Sequence, residues 1–190
     1  MIEGEQVRLR AIEKSDLMQI AAWRSDPNIS KFLYDEVSIS LAMETIWFEK
    51  LLADPTRTVW MIEEKDTDEA IGIVGICKID LRNRKAEYGP LLIGERGHTG
   101  RGYSREVEDL VLDYVFNYLN LHKLYGEVLC YTANVLELHR NSGFKVDGTL
   151  RDHVFKSGGY HDVVLISMLQ EEYYANNNRN NSRVTGIASA

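Results

Sequence analysis

Between Glu87 and Tyr118 the chain passes from a strand-like run, Glu87–Ile93, through a glycine-bearing loop, Gly94–Gly102, into a strongly amphipathic helix. In that helix Val107, Leu110, Val111, Tyr114, Val115 and Tyr118 recur at spacings of three and one, giving it one broad apolar face to bury. Glycines let backbone N–H groups converge without side chains in the way, and a helix start adds unpaired donors and partial positive charge. The unit can therefore seat a phosphate or pyrophosphate, with Arg96, Arg101 and Arg105 supplying charge nearby. It is not a Walker loop, because Gly-Lys-Ser/Thr is missing, nor a GxGxxG fingerprint, because Gly100-Arg101-Gly102 continues as Tyr103-Ser104-Arg105. Two glycines one residue apart also suit an ordinary strand-to-helix connection, so the loop alone leaves both readings open.

The remaining elements supply context. Residues 6–11 alternate as a first strand, and Ser15-Asp16 can cap a helix carrying Leu17, Ile20 and Ala21, which Asp26-Pro27 ends. A second helix is predicted from Leu41 to Leu52, with Met43, Ile46, Trp47 and Leu51 as its apolar stripe. Thr58–Glu63, Ala70–Asp80 and Lys85–Ile93 read as a meander of strands. After the amphipathic helix come a strand at Lys123–Leu129, a short helix at Asn134–Asn141 stopped by Gly143, and strands at Phe144–Phe155 and His161–Leu169. The order predicts a mixed α/β (α+β) sheet in one domain.

Length and composition fit that domain: 190 residues, 44% of them hydrophobic, without internal repeats. Residues 172–190 are polar and aperiodic and read as a flexible tail after a domain of 1–171. No apolar run approaches the roughly 20 residues of a membrane span, and the acidic start lacks signal-peptide character, so a cytoplasmic protein is expected. Cys77 and Cys130 sit in apolar, strand-like stretches and read as reduced core thiols. The five histidines show no metal spacing, so no metal is expected. A net charge of −7 argues against nucleic acid as partner and suits a cationic or neutral one.

Over roughly residues 5–171 this succession resembles the GNAT N-acetyltransferases. The family's loop signature is Arg/Gln-x-x-Gly-x-Gly/Ala; here it reads Thr99-Gly100-Arg101-Gly102-Tyr103-Ser104, with Gly102 matching and Thr99 and Ser104 departing. A second segment, Thr132 to Phe144, resembles the family's "N…LYxxxGF": Gly143-Phe144 match, Thr132 stands at the usual Asn and His139 at the usual Tyr. The resemblance implies a seven-stranded, mostly antiparallel sheet flanked by about four helices, and acetyl-CoA as cofactor. It implies contacts to the cofactor from Leu91, Leu92, Ile93, Thr99, Gly100, Arg101, Gly102, Tyr103, Ser104, Thr132, Asn134 and Leu138.

An ammonium must lose a proton before it attacks a thioester, and the leaving thiolate gains one. By resemblance Glu87 is the candidate base, or else an ion-paired strand carboxylate. His139 is the candidate acid, or else a packing residue or helix C-cap. Transfer is expected to be direct, with the carbonyl oxygen meeting a backbone N–H of Leu91–Ile93 and no acyl-enzyme formed.

The resemblance is strongest to the branch of ribosomal-protein, spermidine and nucleotide-sugar N-acetyltransferases. In that branch Trp23, Arg24, Tyr34, Tyr88, His153, Tyr160 and His161 are nominated for the acceptor, a small-molecule amine, and a homodimer is expected. Leu138-His139-Arg140-Asn141-Ser142-Gly143-Phe144 looks like enzymes that acetylate UDP-linked aminosugars, whereas the net charge fits a polyamine better. Following the segment, the expected acceptor is a nucleotide-linked aminosugar. Polyamine or protein N-terminal acetylation, and a non-catalytic CoA sensor, stand as alternatives.

Overall fold

The computed structural model describes residues 1–34, 38–94 and 102–185, with side chains to 177. Its eight strands are β1 (Ile2–Glu3), β2 (Val7–Ala11), β3 (Thr58–Glu64), β4 (Glu69–Asp80), β5 (Lys85–Ile93), β6 (Lys123–Leu129), β7 (Lys145–Lys156) and β8 (Gly159–Leu169). Its six α-helices are α1 (Leu17–Ser25), α2 (Pro27–Ser30), α3 (Leu41–Ala53), α4 (Tyr103–Asp113), α5 (Ala133–Ser142) and α6 (Gln170–Thr185). The strands form one sheet in the order β1-β2-β3-β4-β5-β6-β8-β7, antiparallel throughout except for the parallel pair β5–β6.

The central strands are apolar on both faces, and their period-2 alternation divides the core in two. On β3, Trp60 and Ile62 join Val107 and Val111 of α4 and Val115 just beyond it, while Val59 and Met61 join Ile20, Trp23 and Phe48 of α1 and α3. Helices therefore cover both faces. The stripe expected on α4 is buried at Val107, Val111 and Val115, and the helix continues as a π-helical turn over Tyr114–Tyr118. Gly143, at φ 105, ends α5 in the left-handed conformation that glycine adopts without penalty.

Several expectations are corrected. A two-residue β1 and a four-residue α2 are too short for periodicity to reveal, and with α6 they bring the described residues to eight strands rather than seven and six α-helices rather than about four. The polar segment from 172 is helical to Thr185, because Tyr173 stacks on Phe116 at 5.0 Å and draws α6 onto the core. On α3 the buried residues are Glu44 and Phe48, with Met43 and Ile46 exposed. The predicted stripe was displaced because a charged residue, Glu44, occupies the buried face opposite Arg24. A capping box between Glu13 and Asp16 closes a 3-10 turn over Lys14–Asp16, and α1 follows directly from it with Asp16 at its N-cap position and no side-chain cap bond. Cys130 is exposed just beyond β6, whereas Cys77 is partly buried on β4.

Candidate active site

β5 and β6 pair only from Lys85–Glu87 to Lys123–Tyr125 and then separate. Beyond that point β5 stays with β4 and β6 stays with β8. The edge of β5 from Tyr88 to Ile93 is thus left without a strand partner facing β6. Gly89 and Pro90 together oppose Gly75 in a bulge, where Pro90 has no N–H to donate to a ladder and glycine at 75 and 89 permits close approach. A cavity of about 500 Å³ fills the wedge between the strands.

Glu87, Tyr88, Leu91, Leu92, Thr132 and His139 line this cavity, so the divergence gathers residues from two distant stretches of sequence. Glu87 pairs with Lys78 Nζ at 2.6 Å, and the Cys77 thiol lies 3.9 Å from its carboxylate. Burial pushes the Cys77 thiol up, and the charge of Glu87 adds to this. Among the described residues the buried Tyr88 hydroxyl has no hydrogen-bond partner, and its ring meets His139 edge-on with centroids 5.4 Å apart. Burial, followed by the charges of Glu108 and Asp109, raises Tyr88 well above the usual phenol range.

His139 is buried, and its Nδ1 meets the carboxylate of Glu108, whose second oxygen accepts from the Ser142 hydroxyl. Thr132 precedes α5, is buried, and donates its hydroxyl to Leu129 O at 2.7 Å. Asn134 is exposed and Leu138 half-buried on the same helix, and Ile93 packs on the core at the end of β5. Gly102 is the residue before α4, at φ 87, with open space where a Cβ would stand. Tyr103 is buried and donates to Glu64, and Ser104 lies in the first turn of α4. Thr99, Gly100 and Arg101 lie outside the described residues.

Of the residues nominated for the acceptor, Arg24, Tyr34 and Tyr88 line the cavity. Tyr34 donates to Glu127 at 2.7 Å. Arg24 pairs at 3.0 Å with the buried Glu44, whose carboxyl is pushed up by burial and pulled down by that arginine. Trp23 instead belongs to the core, packed against Gly94. His153 and Tyr160 are exposed on the last hairpin, and His161 turns its ring toward Lys156 O and Tyr131; none of the three lines the cavity.

The sequence reading missed Glu127, Trp47, Phe32 and Glu108. The signal for Glu108 was available: it falls three, four and seven residues before Val111, Leu112 and Val115, inside the apolar stripe of α4. A carboxylate at such a position requires a partner. Nothing comparable marks Phe32 or Trp47, which only the folding of α1–α3 onto the sheet brings to the cavity.

Residues 6–145 match the family model described as an acetyltransferase (GNAT) domain. The chain belongs to the GNAT acetyltransferase family. It is an acetyl-CoA-dependent N-acetyltransferase. The spermidine N(1)-acetyltransferase of Vibrio cholerae is 30% identical to this GNAT enzyme over 170 residues, covering 90% of this chain and 96% of that protein. The spermidine N(1)-acetyltransferase of Escherichia coli K12 is 25% identical over 175 residues, covering 92% of each. The crystal structure of the V. cholerae spermidine N-acetyltransferase in complex with CoA and spermine aligns at TM-score 0.83 and 30% identity, covering 90% of this chain and 99% of that one. The similarity runs to spermidine acetyltransferases along nearly the whole chain. That similarity favours the polyamine alternative over the aminosugar reading, which rested on one short segment around His139.

The residues present fit the cofactor. The unpaired β5 edge offers strand-like hydrogen bonds to an extended amide chain, the buried Tyr88 hydroxyl is an unmet donor in the cavity lining, and Gly102 leaves open space at the start of α4. Among the described residues no helix is long and apolar enough to cross a membrane.

Proposed function

We infer that this GNAT enzyme acetylates a primary amine of a polyamine-like acceptor, with Glu87 as base and His139 as acid. The observation that carries the reading is a pair of carboxylates, Glu87 and Glu127, in the lining of one cavity beside the aromatic rings of Phe32, Tyr34 and Trp47. Carboxylates meet ammonium groups, and aromatic faces accept both the methylene stems and the cations. Tyr34 lies in the same lining and donates to Glu127 at 2.7 Å. Its hydroxyl is raised first by burial, then by its hydrogen bond to Glu127, with the charge of Glu87 adding to the effect. Glu87 already holds an ammonium, that of Lys78, at 2.6 Å. Arg24, the cation of the cavity lining that could meet the diphosphate of a nucleotide sugar, is engaged by Glu44. The relatives' spermidine activity and the net charge of −7 point the same way.

Acetyl-CoA supplies the activated acetyl thioester and the thiol that leaves. Glu87 accepts a proton from the acceptor ammonium, directly or through water. Backbone N–H groups on the open edge of β5 offer donors where negative charge develops on the carbonyl oxygen. His139 holds the proton that the departing sulfur requires.

Release of free thiol, followed with spermidine, spermine, UDP-aminosugars and peptide N-termini, tests the acceptor class. Spermidine and spermine are expected to give the highest kcat/KM. Turnover of a UDP-aminosugar at higher kcat/KM than either polyamine would overturn the assignment.

A further inference from the structure

Glu108 is fully buried in α4, and its two oxygens meet two partners from α5: His139 Nδ1 and the Ser142 hydroxyl. The Ser142 hydroxyl oxygen also lies 3.2 Å from Leu138 O of the same helix, the alternative acceptor for its single proton. A carboxylate without solvent is retained in a core only where charge or hydrogen bonds satisfy it, so the Glu108–His139–Ser142 cluster stands or fails as a unit. With Nδ1 committed to Glu108, the imidazole's remaining nitrogen is Nε2. The described residues give Nε2 no hydrogen-bond partner, and the ring that carries it lines the cavity. Tyr88 and Phe144 pack on the ring edge-on at centroid distances of 5.4 Å each, which restricts its rotation.

We propose that Glu108 is the positioning residue for the acid step: it fixes the His139 tautomer and ring orientation and balances the positive charge of the protonated imidazole. The proposal rests on His139 being the acid. As the new N–C bond forms and the C–S bond breaks, the electron pair goes to sulfur and sulfur takes the proton from Nε2. His139 becomes neutral with its Nδ1 proton still directed at Glu108, which stays ionised. Solvent then returns a proton to Nε2, while the proton taken by Glu87 and the second proton that the acylated nitrogen sheds on becoming a neutral amide both go to solvent. Ser142 occupies the oxygen of Glu108 that His139 does not use, so the carboxylate cannot rotate away from the ring.

Glu108→Gln keeps the shape and an acceptor oxygen for Nδ1–H but removes the charge. With whichever amine the enzyme turns over, kcat is expected to fall about 100-fold while KM for acetyl-CoA changes less than twofold. In a His139→Ala background, Glu108→Gln is expected to cost nothing further, because Glu108 acts through the imidazole. Proton NMR of the ligand-free protein supplies a readout independent of turnover. A downfield Nδ1–H resonance, assigned by its loss in His139→Ala, should move upfield in Glu108→Gln. Wild-type kcat in Glu108→Gln, or an equal loss in both backgrounds, or an unmoved resonance, would each overturn the proposal. If His139→Ala itself turned over at the wild-type rate, the acid assignment would fall. A different preferred acceptor would leave the comparison intact.

Discussion

The indole of Trp23 lies directly over Gly94, so close that any Cβ on residue 94 would overlap the ring. This contact joins α1 to the end of β5 and makes Trp23 a structural residue rather than an acceptor contact. Gly94→Ala is expected to destabilise the protein by about 1–3 kcal/mol through overpacking. Trp23→Ala should cost about 3–5 kcal/mol by leaving a cavity. Urea denaturation measures both; unchanged midpoints would contradict the packing argument.

Gly102 presents the opposite case. Nothing lies within 4 Å of a Cβ built there, yet its φ is 87. Gly102→Ala should therefore act through backbone strain alone, about 1–2 kcal/mol, and weaken CoA binding by distorting the start of α4. Calorimetric titration with CoA would show a raised Kd. A Kd equal to wild type would mean that this turn does not shape the cofactor seat.

Arg24 and Glu44 give a stability prediction with a definite pH dependence. Glu44 is raised above the ordinary carboxylate value by burial, with Arg24 pulling against it. A folded-state value above the unfolded one means stability is greatest when Glu44 is protonated and is lost as pH rises through its folded value. Arg24→Met removes the opposing pull and should destabilise the protein by about 3–5 kcal/mol at neutral pH. The difference between the two proteins should narrow as pH falls through the range in which Glu44 takes up its proton. A pH-independent difference, read from paired denaturation curves, would rule out Glu44 as the cause.

At the acceptor end, Glu127→Gln is expected to raise KM for spermidine about 10-fold, the effect of replacing a charge-assisted contact by a neutral one. Tyr34→Phe removes the 2.7 Å hydrogen bond to Glu127 and should change KM less. Neither should alter KM for acetyl-CoA. Steady-state kinetics varying each substrate in turn separates the effects, and an unchanged spermidine KM in Glu127→Gln would remove Glu127 from the acceptor site.

Glu87→Gln should lower kcat about 100-fold while CoA binding persists. If kcat held, Glu87 would be only the ion-pair partner of Lys78.

Much of the fold was legible because its signals are local. The α4 stripe, Gly143 after α5 and the alternation of β2 each depend on near neighbours, and the structure places α5 and β2 within a residue of the sequence boundaries, with the α4 stripe running on into the π-helical turn. β1 and α2 were not legible, since two and four residues carry too little pattern. On α3 the apolar positions misled because Glu44 is the buried one, and its burial depends on Arg24, 20 residues earlier.

The sequence by itself determined the order of the longer elements from β2 to β8, the glycine-bearing turn into α4 and the family. Each of these follows from periodicity, backbone freedom and motif spacing along the chain. Only the tertiary structure decided which side chains meet. The divergence of β5 from β6 brings Glu87 and His139 to one cavity, and the packing of α4 on α5 sets Glu108 against His139 across 31 positions of sequence. Periodicity records which face of an element is apolar; it carries no information about the partner which that face, or a carboxylate set within it, will find.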